Sequence, residues 1–108
     1  MRYVLALDLK NDPVLITEYE RYHEAVWPEV LQSMRDAGIT NMEIYRVENR
    51  LVLLMDTAED FSLERKADID AANPTVQAWE TLMWRYQQAL PSAQPGQKWV
   101  IMEKIFQL

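Results

Sequence analysis

The chain of 108 residues has no cysteine, a single histidine and only two glycines, and each shortage excludes a kind of chemistry. Without cysteine there is no disulfide and no thiolate metal site, and one histidine cannot build a zinc site that needs two or more such ligands. Two glycines are too few for a phosphate-binding loop or a dinucleotide-binding fingerprint, and no nucleophile-elbow sequence occurs. We therefore predict no metal and no cofactor: an enzyme of this composition moves protons unaided or borrows a cofactor.

The chain also has little positive charge and no long apolar segment. Its formal net charge is −6, and the Lys and Arg residues form no cluster. Nucleic acid and anionic membrane surfaces are therefore not expected as partners. No apolar run approaches the roughly 18 residues of a transmembrane helix, and Asp8 comes too early for a signal peptide. We predict a single cytoplasmic domain over residues 1–108.

Hydrophobic spacing predicts a strand and an interrupted helix in the first third of the chain. Residues 2–9 alternate in the manner of a strand with one buried face. Apolar residues then recur at helical spacing over residues 13–37, and Gly38 ends the pattern. Pro28 lies inside this run. Because proline lacks a backbone donor and clashes with the preceding turn, we expect a kink or break around Val26–Trp27.

The rest of the chain predicts a hairpin, two helices and a last strand. The hairpin strands are expected at 40–47 and 50–57, the helices at 58–71 and 75–89, and the last strand at 98–106. In the turn Glu48-Asn49, the asparagine suits a positive φ. The order β-α-β-β-α-β is that of the ferredoxin-like α+β fold, with four antiparallel strands and helices on one face.

Such a sheet leaves its second face to be covered. Ile44, Met55, Met102 and Phe106 lie in the predicted strands and indicate that neither face is wholly polar. Exposed apolar patches of several hundred Å² mark interfaces or ligand sites. A homodimer with its sheets face to face is one expectation, and a ligand cavity between sheet and helices is another.

The only histidine, His23, lies midway between Tyr19 and Trp27, at intervals of four residues. On a helix this spacing places the three side chains on one face. An imidazole has an unperturbed pKa of about 6.5, so it both gives and takes a proton near neutral pH. His23 is therefore the candidate acid–base group, although a core histidine with one hydrogen bond would give the same pattern.

Aromatic residues of the last helix offer a candidate binding surface. Trp79, Trp84 and Tyr86 are core residues by default, but an indole also stacks on the apolar C–H face of a pyranose ring. Tyr45, in the hairpin, is a candidate for a contact to a sugar hydroxyl. Glu103 lies in the middle of the last predicted strand and would face the cavity or a partner subunit.

Four motifs give the chain a resemblance that covers its whole length. In chain order they are Glu18-Tyr19-x3-His23-x3-Trp27-Pro28-Glu29, Gly38-x2-Asn41-x2-Ile44-Tyr45, Val76-Gln77-x-Trp79-x3-Met83 and Glu103-x-Ile105-Phe106. With these motifs the chain resembles the L-rhamnose mutarotase family, in a divergent branch with a longer segment after the last helix.

The resemblance implies a homodimer of the dimeric α/β-barrel type and cofactor-free interconversion of the α and β anomers of a 6-deoxy-hexose. It implies that His23 is the proton donor, that Tyr19 contacts the sugar and that Trp79 stacks on it. The family places a second tryptophan where this chain has Glu80 and often a tyrosine where it has Met42. Both departures are at positions that contact the sugar, and the acid–base residue His23 is kept. The anomerisation chemistry is therefore expected in this chain, and the sugar is open between L-rhamnose, the first candidate, and L-fucose.

Two other functions stay open at this point. Small monooxygenases and heme-degrading proteins share the dimeric ferredoxin-like architecture, and a lone histidine such as His23 would there ligate heme iron. Alternatively, the chain is a non-catalytic binding module in which His23 is simply buried.

Overall fold

An antiparallel sheet with helices on one face organises the chain, and the computed structural model describes all of residues 1–108. In chain order the elements are β1 (Arg2–Leu9), α1 (Pro13–Tyr22), α2 (Pro28–Asp36), β2 (Ile39–Val47), β3 (Arg50–Thr57), α3 (Leu63–Ala71), α4 (Pro74–Trp84), β4 (Gln87–Gln88) and β5 (Val100–Ile101). The strand order is β2-β3-β1-β4, and β5 also pairs with β1. This is the ferredoxin-like order, so the predicted α+β fold class is confirmed.

The register of the strands places one row of apolar residues beneath the helices. Leu5 lies opposite Leu53 and Leu7 lies opposite Leu51 on the paired strands β1 and β3. Since side chains alternate along a strand, these residues share the inner face of the sheet. Tyr19, Val30, Trp79 and Met83 of the helices are buried against this face, in one cluster with Leu9 and Leu51.

The outer face of the sheet carries ion pairs and exposed apolar side chains. Arg50 Nε donates to Asp8 Oδ1 at 2.8 Å across the strands β1 and β3. On β2, Tyr45 and Val47 are 57% and 68% exposed. No helix of the chain covers these two residues.

The break in the first helical region is longer than predicted. α1 ends at Tyr22 with His23 as its C-cap, and α2 begins with Pro28 at its first position and Trp27 as its N-cap. The chain is therefore non-helical over residues 23–27, a break that includes the expected position at Val26–Trp27 and begins three residues before it. A helix that continued into Pro28 would lose a hydrogen bond and press the proline ring against the carbonyl four residues earlier, so it stops a full turn before.

The hairpin turn also differs in one residue from the prediction. The positive φ, 52°, belongs to Glu48 and not to Asn49. The Asn49 side chain instead donates a hydrogen bond of 3.1 Å to the backbone oxygen of Leu9. This contact ties the turn to the end of β1.

Two helix boundaries predicted from the sequence are wrong. α3 begins at Leu63 and not at 58, because the Ser62 side chain caps it by accepting from the Arg65 backbone N–H at 3.2 Å. α4 ends at Trp84 and not at 89. The chain beyond it forms β4, in which Gln87 pairs with Leu9, so the free edge of β1 overrides the helical pattern.

The last strand is far shorter than the predicted 98–106. Only Val100–Ile101 pairs with β1, opposite residues 5 and 6. The segment 102–108, here called the C-terminal tail, is exposed, and Ile105 and Phe106 are 93% and 76% accessible. No helix of the chain is long and apolar enough to cross a membrane.

Candidate active site

A cavity of about 400 Å³ lies between the inner face of the sheet and helices α1, α3 and α4. Its apolar floor comes from the strands, through Leu5, Met42, Ile44, Leu53 and Met55. Its polar groups come from the helices and from the segments after α4: Tyr19, His23, Lys66, Asp70, Glu80, Gln87, Gln97 and Lys98. A mostly apolar cavity of this size with a few polar groups is typical of a site for a small molecule.

His23 stands at the end of α1, where its ring is fixed by the helix itself. Its Nδ1 donates a hydrogen bond of 2.8 Å to the backbone oxygen of Tyr19, since a carbonyl oxygen only accepts. The hydrogen on Nδ1 leaves Nε2 as the ring nitrogen that exchanges a proton with a ligand. The imidazole also stacks beside the Tyr19 ring, at 4.4 Å between centroids.

Trp79 joins the two sides of the helix break. Its indole lies 5.8 Å from the His23 ring and 5.1 Å from the Trp27 ring, both edge to face. The spacing of Tyr19, His23 and Trp27 would place them on one face of a continuous helix. The helix ends at Tyr22 and Trp27 is the N-cap of α2, yet packing on Trp79 brings His23 and Trp27 to the same place.

The Tyr19 hydroxyl is a buried, neutral hydrogen-bond donor. The residue is 3% exposed, and its hydroxyl oxygen accepts a hydrogen bond of 3.2 Å from Gln87 Nε2. Burial raises the pKa of Tyr19 to about 12, the Gln87 hydrogen bond opposes this shift, and the negative charge of Glu80 adds to it. At neutral pH the hydroxyl therefore keeps its proton.

Gln87 is a polar residue of the cavity that the sequence did not reveal. It is 4% exposed, and its Oε1 has no hydrogen-bond partner. A half-turn of the amide would satisfy Oε1 and leave Nε2 unpaired, so one polar atom lacks a partner in either orientation. The sequence placed Gln87 inside a helix, next to a second glutamine, and no signal distinguished the two.

Glu80 and Lys98 form an ion pair at the cavity. Lys98 Nζ lies 2.7 Å from Glu80 Oε2, donates to the Glu80 backbone oxygen at 3.3 Å and stands 4.9 Å from the centre of the Trp84 ring. The lysine side chain is largely buried and the glutamate side chain is 42% exposed. Burial lowers the pKa of Lys98, and Glu80 opposes this shift.

A second ion pair lies on α3, where Lys66 Nζ donates to Asp70 Oδ2 at 2.5 Å, one turn apart. Both residues line the cavity. The chain contains no group of three or more His, Cys, Asp or Glu side chains placed to hold a metal ion.

Tyr45 is the one predicted site residue that lies away from this cavity. Met42 and Ile44 of β2 point to the cavity, so strand alternation turns Tyr45 to the outer face. There its hydroxyl donates to Glu43 Oε1 at 3.2 Å. Within one chain, Tyr45 does not meet a ligand held beside His23.

The remaining aromatic and acidic candidates also have defined places. Tyr86 is buried in the core after the end of α4, with its ring 5.8 Å from that of Tyr22. Trp84 faces Lys98. Glu103 lies in the exposed C-terminal tail and does not line the cavity, since the strand that was to carry it ends at Ile101.

Known proteins resemble this chain in sequence and in fold. A family model described as L-rhamnose mutarotase matches residues 2–108. A protein of Xanthomonas campestris pv. campestris named L-fucose mutarotase is 50% identical over 109 residues, which cover 99% of this chain and 87% of that protein. The crystal structure of an L-rhamnose mutarotase from Formosa agariphila superposes with a TM-score of 0.74 at 21% identity, covering 100% and 98% of the two chains. A dimeric ferredoxin-like protein from an uncultured marine organism superposes with a TM-score of 0.56 at 12% identity, covering 99% and 90%.

The ferredoxin-like sheet and the cavity beneath its helices, with its imidazole, define the chain as a small α+β domain with a binding site for a small molecule. The family model covers nearly the whole chain. The chain belongs to the L-rhamnose mutarotase family, and it is an isomerase that acts on carbohydrates.

Proposed function

We propose that the protein interconverts the α and β anomers of a 6-deoxy-L-hexose without a cofactor. The observation that carries this proposal is the apolar cavity in which the His23 imidazole meets the Trp79 indole. The sequence favoured L-rhamnose as the sugar. The relative at 50% identity is named for L-fucose, so we put L-fucose first and L-rhamnose second.

The reaction needs a proton at the ring oxygen of the sugar. We assign this proton to the imidazolium form of His23, in which Nδ1–H is engaged by the Tyr19 carbonyl and the second proton stands on Nε2, free of a protein partner. Protonation of the ring oxygen breaks its bond to C1 and opens the ring to an aldehyde. Rotation about C1–C2 and closure from the other side then give the second anomer. A positioned acid–base group contributes about 10²–10⁴-fold, enough for a reaction that already proceeds slowly in water.

Tyr19 and Trp79 are assigned to sugar binding. The indole offers an apolar face against which the C–H groups of a pyranose pack. The Tyr19 hydroxyl, held neutral by a raised pKa, donates a hydrogen bond to an oxygen of the sugar. Tyr45 is not included, because it lies on the outer face of the sheet.

Saturation-transfer proton NMR on equilibrated sugars tests the activity. The wild-type protein is expected to accelerate α/β exchange of L-fucose and L-rhamnose over buffer. It is expected to accelerate that of L-galactose less, because the mostly apolar lining of the cavity offers few partners for an additional hydroxyl. No acceleration of either deoxy-sugar overturns the proposal. A titration with hemin, followed for a Soret band, tests the heme alternative in the same preparation.

We also propose that a second copy of the chain covers the outer face of the sheet. Tyr45 and Val47 on β2 and Ile105 and Phe106 in the tail are all strongly exposed. A two-fold arrangement pairs the same surfaces on both copies, so it buries both patches at once. Light scattering is expected to give twice the chain mass of 12.8 kDa, and V47D with F106D is expected to give the single mass. A wild-type mass of one chain at all concentrations contradicts the dimer.

The cytoplasmic location stays a prediction.

A further inference from the structure

The proposed reaction moves two protons, and His23 accounts for only one of them. While the ring oxygen gains a proton, the anomeric hydroxyl must lose one. Tyr19 does not accept it, because burial keeps its pKa at about 12 and the hydroxyl is already protonated. Lys66 and Lys98 are cations bound to carboxylates. The groups of the cavity that remain able to accept a proton are the carboxylates of Asp70 and Glu80.

Glu80 is better placed than Asp70 for this role. Asp70 is bound at 2.5 Å by Lys66 on its own helix, and its side chain is 18% exposed, against 42% for Glu80. Glu80 directly follows Trp79, whose indole lies 5.8 Å from the His23 ring. Glu80 also lines the same cavity as Tyr19 and His23.

We propose that Glu80 is a second catalytic residue, which takes the proton of the anomeric hydroxyl, and that Lys98 is its positioning residue. This inference rests on the proposed mutarotase function. In the opening step the Glu80 carboxylate takes the proton from O1, the freed electron pair forms the C1=O bond, and the C1–O5 electrons pass to O5. O5 takes the Nε2 proton of the His23 imidazolium, which leaves the neutral ring with its proton on Nδ1. In the closing step both protons return, and O5 attacks the other face of C1.

Lys98 fixes the position of the Glu80 carboxylate through a contact to one of its two oxygens. Its Nζ contacts Oε2 at 2.7 Å and also reaches the Glu80 backbone oxygen, so the lysine spans the side chain and main chain of one residue. Its Nζ is itself held over the Trp84 ring. The Glu80 side chain is 42% exposed, so the carboxylate stays accessible to a sugar while Lys98 holds Oε2.

The test is the kcat and KM of anomer exchange in E80Q, measured by NMR with L-fucose. A lost proton acceptor is expected to lower kcat about 100-fold or more, with KM within about threefold of wild type, because glutamine keeps the shape and the hydrogen-bond acceptor. E59Q, on the exposed turn before α3, is the matched control with wild-type values. In E80A, added formate is expected to restore kcat at least tenfold, whereas H23A does not respond to formate.

Each other result counts against the inference. An E80Q kcat within threefold of wild type overturns it, as does a larger loss in D70N. E80Q could also lose activity by unfolding, because it leaves Lys98 buried without its ion-pair partner. The double variant E80Q/K98M removes that lysine charge, so it is expected to fold and still to have the low kcat of E80Q. Absence of exchange in the wild type overturns the proposed function itself, whereas wild-type exchange with a normal E80Q overturns only the role of Glu80.

Discussion

His23 Nδ1 donates a hydrogen bond of 2.8 Å to the backbone oxygen of Tyr19, one turn earlier on α1. The His23 backbone N–H turns instead to the Glu20 oxygen, at 3.1 Å, as the helix ends. The end of a helix leaves carbonyl groups without backbone partners, and the imidazole serves one of them. The helix terminus thus fixes both the orientation of the ring and the nitrogen that is left for chemistry.

The raised pKa of Tyr19 predicts a loss of stability at alkaline pH. The ordinary tyrosine pKa is about 10 and the folded value is about 12. The folded state therefore disfavours the phenolate. The contribution of protonated Tyr19 to the free energy of unfolding is fully present below pH 10 and is lost as the pH rises from 10 to 12. The free energy of unfolding is expected to fall by up to about 2.7 kcal/mol over that range from this group. Urea unfolding at pH 8 to 11.5 measures the slope, and Y19F is expected to lessen it. An equal slope in Y19F contradicts the assignment.

Trp79 has a structural role and a proposed binding role, which two variants separate. The residue is 4% exposed and packs on His23 and Trp27. W79A is expected to lower the free energy of unfolding by about 3–5 kcal/mol, the usual cost of such a cavity. W79F keeps an aromatic ring, so it is expected to fold and to raise KM for the sugar while kcat changes little. A normal KM in W79F would leave the residue a purely structural part of the core.

The unpaired oxygen of Gln87 predicts a variant that sugar stabilises less than it stabilises the wild type. A buried polar atom without a partner costs about 1–3 kcal/mol, but Q87M also removes the hydrogen bond that Gln87 Nε2 donates to the Tyr19 hydroxyl. The two effects oppose each other, so the Tm of Q87M without sugar is expected to stay close to that of the wild type. If the sugar supplies the missing partner, the same variant raises KM and gains less Tm from added sugar than wild type does. Thermal melts with and without L-fucose measure both effects, with Q88M on the exposed side of β4 as control. A lower Tm and an unchanged KM in Q87M would assign the glutamine to the core alone.

Local patterns predicted the fold well and the site in part. Alternation in β1 and β3, Pro13 after Asp12 and the glycine at position 38 correspond to elements that the structure contains. The end of α4 was missed, because helical spacing continues through residues 85–89 while the free edge of β1 recruits Gln87. Local hydrophobic spacing does not predict which distant segments of the chain pair with each other.

The same limit applies to the site. His23, Tyr19 and Trp79 were identified by spacing and by the motifs that surround them, and all three line the cavity. The face on which Tyr45 lies depends on the register of β2 against β3, which spacing alone does not give. Gln87 and the pair of Glu80 with Lys98 are brought to the cavity by tertiary contacts across 18 to 68 residues of sequence. Those contacts leave no trace in composition or periodicity.

The α/β exchange rates of L-fucose and of L-rhamnose, measured in wild-type protein and in H23A at pH 7, decide between a catalytic and a structural His23. Saturation-transfer NMR is expected to find fast exchange in the wild type and a rate at least about 100-fold lower in H23A, whose circular dichroism and melting curve should stay native. Wild-type exchange in a folded H23A would contradict His23 as the acid. Exchange no faster than in buffer with the wild-type protein, for both sugars, would contradict the mutarotase itself.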